Sequence, residues 1–223
     1  MIANLAAIVG GAVLSIASSQ TVAGAASAQP KSTASFDCRR AGTRAEKKIC
    51  SSPALMKVDR EIAERYAALR KKLDPASAKS LAADQRNFLQ MRDTAEFGRP
   101  DALTSALQSR SGFLNAINPG RVGILGRWSN LFSTIEIAPA SAGGTQYRVN
   151  AVDPVAARWV CEASGSLTAT GPARWTGTIA DSAGKAITLS RVGTMLIVDD
   201  AQAGRDHCGL NGGIAGSYFP VSR

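Results

Sequence analysis

The period of the hydrophobic pattern changes once along this 223-residue chain, at Asn118-Pro119-Gly120, and no other feature constrains the fold as strongly. Upstream, apolar residues recur every three or four positions, which places them on one face of a helix. Downstream they alternate, which places them on one face of a strand. Composition follows the same division. Residues 29–119 are rich in Ala, Leu, Lys and Arg, whereas residues 120–223 hold most of the glycines and all three tryptophans. The expectation is an α+β chain of two small domains, 29–119 and 120–223, joined at a turn-forming triplet.

In the first segment Thr43 and Glu46 have capping-box spacing, which predicts a short helix ending near Cys50. Ser52 caps a second helix with Pro53 at its first position, where the missing N–H costs nothing. Leu55, Val58, Ile62, Tyr66, Leu69 and Leu73 form its apolar stripe, and Asp74-Pro75 ends it. Leu81, Gln85, Phe88, Leu89 and Arg92 repeat the pattern, as do Leu103, Leu107, Leu114 and Ile117 after Gly98-Arg99-Pro100. These stripes predict a small antiparallel helical bundle. In the second segment alternation appears at 133–137, 146–149 and 166–168, between the turn signals Ala142-Gly143-Gly144, Asp153-Pro154, Asp181-Ser182-Ala183-Gly184 and Asn211-Gly212-Gly213. About seven or eight strands fit, as an antiparallel β meander closing into a barrel or a sandwich.

The run Leu5 to Ala17 is apolar and uncharged but too short to cross a bilayer, and Ala26-Ser27-Ala28 behind it has the small-x-small form of a cleavage site. Residues 1–28 therefore read as an export signal peptide, although no Lys or Arg precedes the apolar core. No second long apolar stretch follows, so no transmembrane segment is expected in the mature chain and a periplasmic or secreted location is. Disulfides persist there, and the four cysteines are even in number. Zinc would call for close C-x-x-C pairs and more than the single His207. Three connectivities are open to Cys38, Cys50, Cys161 and Cys208. Division into two domains makes Cys38–Cys50 and Cys161–Cys208 the natural pairs.

No catalytic, metal or cofactor-binding residue is expected. His207 precedes Cys208 without a G-x-S-x-G elbow or a second partner, Asp199-Asp200 reads as a hairpin turn, and no glycine-rich phosphate loop is present. The formal net charge is +9. The helical segment carries 17 Lys and Arg against 10 Asp and Glu, the β segment 9 against 7, so the excess lies on the helices. Nucleic acid is not an expected partner, because the aromatic residues are not interleaved with the basic runs as a stacking platform requires. Anionic envelope components fit the charge. The plainer reading is that Arg39-Arg40, Lys47-Lys48 and Lys71-Lys72 keep helix faces solvated.

The ordered series Phe36-Asp37-Cys38, Cys50, Leu55, Asp59, Tyr66, then Leu81-x-x-x-Gln85-Arg86-x-x-Leu89-x-x-Arg92-Asp93 resembles the N-terminal domain of the LprI lysozyme-inhibitor family of bacterial envelope proteins, over residues 35–115. Members usually carry a second cysteine pair, at places that here look like Ala95 and about Ala102. Joint loss of both partners strands no thiol, which supports Cys38–Cys50 as the remaining staple. The resemblance implies a non-enzymatic protein that binds and inhibits a lysozyme-type muramidase. In the second segment Gly126-Arg127-Trp128 is similar to the G-x-W of lipocalin-like and avidin-like barrels, and Gly216-Ser217-Tyr218 to a loop of the MliC inhibitor family. Three hypotheses result: a muramidase inhibitor, a binding module for anionic cell-wall or outer-membrane components, and a small-ligand carrier using the β domain.

Overall fold

The computed structural model describes residues 34–95, 99–153, 157–180, 182, 184–203 and 206–222; the export signal read at 1–28 lies outside them. A 3-10 turn, Cys38–Arg40, leads into α1 (Arg44–Cys50), α2 (Pro53–Lys72), α3 (Pro75–Ala95) and α4 (Ala102–Ala116). Local signals account for the starts. Thr43 and Glu46 form a reciprocal capping box on α1, and the Ser52 side chain accepts the Leu55 N–H above Pro53. Asp74 opens α3 by accepting the Ser77 N–H (3.0 Å) and the Ser77 hydroxyl (2.6 Å). The stripes pack against one another, burying Leu55, Ile62, Leu69, Leu81, Phe88, Leu103, Leu107 and Leu114. Leu89 departs from the expectation: it is exposed, and Met91 is buried instead. With about 100° between successive residues, a stripe through Leu81, Phe88 and Arg92 can widen toward either flank, and the packing partners favour Met91.

Eight strands follow: β1 (Gly126–Ser129), β2 (Ser133–Pro139), β3 (Thr145–Val152), β4 (Val160–Gly171), β5 (Arg174–Thr178), β6 (Ala186–Val192), β7 (Met195–Asp199) and β8 (Gly216–Val221). Each pairs antiparallel with the next, and β8 pairs with β1 (Arg127 opposite Val221), so the meander closes into a barrel. Inward positions alternate along the strands, as in Tyr147, Val149 and Ala151 of β3. The interior is occupied by Trp128, Ile135, Tyr147, Leu189, Leu196 and Tyr218 among others, as expected for a small barrel filled by its own side chains. Disulfides join Cys38 to Cys50 and Cys161 to Cys208.

The helices lie against the outside of the barrel. Tyr218 belongs to the barrel core, while Phe219, Val221 and Met195 join the helical cluster. Phe113 of α4 meets Phe219 edge to face, with centroids 6.4 Å apart. The joint is fastened along β8, since the Asn118 N–H donates to the Pro220 carbonyl and the Ser222 N–H to the Ala116 carbonyl, both at 2.8 Å.

Asp74 is a second fastening, because it also accepts the Thr194 N–H (2.9 Å) from the β6–β7 hairpin. Gly193 permits this approach: its φ is +56°, and a Cβ there would lie 2.3 Å from the Asp74 carboxylate. Burial pushes the Asp74 pKa up, but hydrogen bonds from Ser77 and Thr194 outweigh it and hold the carboxyl well below the usual range. Such a depressed pKa stabilises the fold above the unfolded carboxylate pKa of about 4, and the contribution is lost as pH falls below it. Asp74→Asn is expected to cost about 1–2 kcal/mol at pH 7, from the weakened helix cap and hairpin anchor. The gap from wild type should narrow between pH 4 and pH 2 in denaturant titrations; a gap independent of pH would contradict the assignment.

Candidate functional site

The stretch between Cys38 and Cys50 is a cationic loop held by three devices. The disulfide brings the two Cα atoms to 5.7 Å. Within it lie Arg39, Arg40, Arg44, Lys47 and Lys48, with Glu46 the one acidic residue between the cysteines. The second device is Asp37, which caps the 3-10 turn by accepting the Arg39 N–H at 3.1 Å and pairs with the Arg39 guanidinium at 2.8 Å. Its carboxyl is held below the ordinary range by the Arg39 side chain and backbone. The Arg39 side chain is 83% exposed, with its guanidinium folded back onto Asp37 through Nε and Nη2.

The third device is buried. Glu46 accepts the N–H groups of Thr43 (3.1 Å) and Gly42 (2.8 Å), which lower its pKa. Its other oxygen faces Arg92 of α3 at 3.7 Å. Arg92 also lies 3.7 Å from Asp59 of α2 and 3.1 Å from Asp93, and Asp59 accepts the Ser35 N–H at 2.8 Å. The Thr43 hydroxyl is 3.3 Å from Asp93. A buried arginine thus ties α1, α2 and α3 beneath the loop. A base this constrained removes the backbone share of the entropy lost on binding, while the exposed basic side chains still lose their own rotamer freedom.

Most of the series that carries the resemblance is therefore scaffold. Asp59, Arg92 and Asp93 build the network under the loop, and Gln85 accepts two hydrogen bonds from buried Arg110. Arg86 and Leu89 are the members of that series on α3 that face solvent. The importance of Arg110 was not legible, since an arginine among helical polar positions carries no mark of burial.

A cleft of about 1050 Å³ separates α3 and α4 from the β1–β2 connection and the start of β4. Phe113, Leu131, Phe132 and Val160 line it, with Ala95 and Ala102 at the facing helix ends. It is concave, so it can receive a ligand but cannot enter another protein's active site.

The remaining sequence candidates have structural surroundings. Asp200 accepts the Ile214 and Ala215 N–H groups (2.9 and 3.2 Å) and Asp199 the Ala201 N–H (2.9 Å), both shaping the β7–β8 connection. His207 lies beside the Cys161–Cys208 bridge, its ring nitrogens buried and without a hydrogen-bond partner among the described residues. Among the described residues no group of three or more His, Cys, Asp or Glu is placed to hold a metal. Trp128 of the Gly126-Arg127-Trp128 motif fills the barrel core and donates to the Ile124 carbonyl (2.6 Å). Tyr218 of Gly216-Ser217-Tyr218 donates to the Ile214 carbonyl (2.6 Å).

No curated protein and no solved structure matches the chain. The helical segment that carries the stapled cationic loop matches, over residues 37–120, the family described as Lysozyme inhibitor LprI.

Proposed function

We propose that the chain is an exported, non-enzymatic envelope protein that binds and inhibits lysozyme-type muramidases, using the Cys38–Cys50 loop as the inserted element. The match of residues 37–120 to a lysozyme-inhibitor family carries this reading. The geometry supports it physically. A muramidase cleft is built around two carboxyl groups, one protonated and one ionised, so a disulfide-held element bearing exposed Arg39 and Arg40 has a charge reason to block it. Holding those side chains on a stapled turn removes part of the entropic cost of binding.

The same charge sets a condition on kinetics. Common lysozymes are basic, and two positive proteins repel during approach. Association should therefore quicken as salt screens the long-range repulsion, while dissociation also quickens if a buried ion pair anchors the complex. Inhibition of a panel of lysozymes, measured across ionic strength, tests this. Arg39→Ala with Arg40→Ala should weaken inhibition by about 10- to 100-fold, the range for charge-assisted hydrogen bonds. Absence of inhibition across the whole panel would overturn the reading.

A further inference from the structure

The barrel end at which β1 begins and β8 finishes groups exposed apolar side chains with exposed cations. Here residues 121–125 cross the rim before β1. The loop is strapped down: Arg191 donates to the carbonyls of Arg121 (2.7 Å) and Gly123, and Trp128 donates to that of Ile124. Arg121 in turn reaches the carbonyls of Arg127 (2.7 Å) and Val221 (2.5 Å). Both guanidinium groups lie over the Trp128 ring, at 5.7 and 5.2 Å. Gly126, with φ +110°, leaves room for Arg121, since a Cβ there would sit 2.7 Å from its Nη1.

This fixed loop turns two of its large apolar side chains to solvent, while Ile124 packs against the barrel core. Val122 is 92% exposed and Leu125 48%, and Val192 on the adjoining hairpin is 40% exposed. Around them the charge is positive. Arg174 is exposed at the start of β5, beside the β4–β5 turn, which Arg191 joins through its N–H to the Ala173 carbonyl. Lys71 and Lys72 are exposed just before Asp74, the residue that holds the β6–β7 tip. The nearby acids are engaged: Glu136 pairs with Arg127 at 3.3 Å, and Asp74 is occupied by Ser77 and Thr194.

We propose that this end of the barrel seats on an anionic lipid bilayer surface, with Val122 and Leu125 entering the interfacial layer and Arg174, Lys71 and Lys72 facing the headgroups. Two observations select lipid over a protein partner. Exposed apolar side chains rimmed by cations are the composition of interfacial anchors. Three carbonyls of the loop are already satisfied internally, as a donor-poor hydrocarbon boundary requires and a protein partner would not. The loop is also pre-ordered, so insertion need not fix its backbone.

The surface stands apart from the inhibitory loop. The Cys38–Cys50 stretch precedes the start of α2, whereas the barrel end meets its finish, and 20 residues at 1.5 Å rise separate them by about 30 Å. A protein seated this way would hold its cationic loop away from the membrane. The lipid proposal does not rest on the lysozyme reading, and either can fail alone.

The test is partitioning of the exported, processed protein onto vesicles of phosphatidylglycerol and, separately, phosphatidylcholine. Binding should favour phosphatidylglycerol. Val122→Asp should weaken it at least tenfold, and Lys71→Gln, Lys72→Gln and Arg174→Gln together on the order of a hundredfold. Melting temperature should be unchanged by Val122→Asp, because the side chain is exposed. Val122→Trp should show blue-shifted emission with vesicles and quenching by brominated lipid chains. Partitioning insensitive to Val122→Asp, or unshifted emission from Val122→Trp, overturns the proposal. So does loss of lysozyme binding in the Val122 variant with vesicle binding intact, which would assign the loop to a protein interface.

Discussion

Arg110→Ala is expected to lower the unfolding free energy by about 3–5 kcal/mol, the range for breaking a buried ion pair by removing one partner. Arg110 is fully buried on α4, between the rings of Phe88 and Phe113 at 5.2 and 5.1 Å. Its guanidinium donates to Gln85 twice, at 2.9 and 2.7 Å, and pairs with Asp84. Asp84 then accepts the Leu131 N–H at 3.0 Å, so the arginine links α4 through α3 to the barrel. Burial pulls the Arg110 pKa down and the Asp84 charge works against that, but a guanidinium stays charged throughout. Truncation would leave a carboxylate and an amide facing a cavity. Arg110→Met should recover packing but not the pairing, and so fall between alanine and wild type. Denaturant unfolding measures both, and a loss under about 1 kcal/mol for Arg110→Ala would show that the network adds no net stability.

Phe219→Ala is expected to cost about 3–5 kcal/mol as well, and to do so in one transition. Phe219 stands on β8 yet is buried among helical side chains. The cavity it leaves would weaken both segments together. All three tryptophans lie in the β segment, so their fluorescence reports the barrel while circular dichroism at 222 nm reports the helices. Coincident midpoints, both shifted by the substitution, are the expected result. Separate midpoints would show that 29–119 and 120–223 fold independently, and that the contact along β8 is a docking surface and not a shared core.

Local signals made the element starts legible. The Thr43 and Glu46 box, Ser52 before Pro53, and the break at Asp74-Pro75 each depend on hydrogen bonds or φ restrictions within a few residues. The same holds for the stripes, except where Leu89 and Met91 could each have flanked the core. The candidate site was half legible. The basic loop between Cys38 and Cys50 is plain in the sequence, but the packing of Arg92 with Glu46, Asp59 and Asp93 beneath it joins residues up to 46 positions apart.

By itself, the sequence determined which segments become helix and which become strand, because hydrophobic period, caps and turn residues act over one or two turns of chain. The tertiary structure alone decided the rest. Alternation is the same in a barrel and a sandwich, and closure rests on β1 meeting β8 across most of the β segment. Neighbouring residues also part ways on β8, Tyr218 into the barrel and Phe219 among the helices. Alternation states that they face opposite sides; only the docked helices give the second side something to bury. Val122 is the converse case. This apolar residue is held in solvent, because Arg191 and Trp128 take the backbone around it.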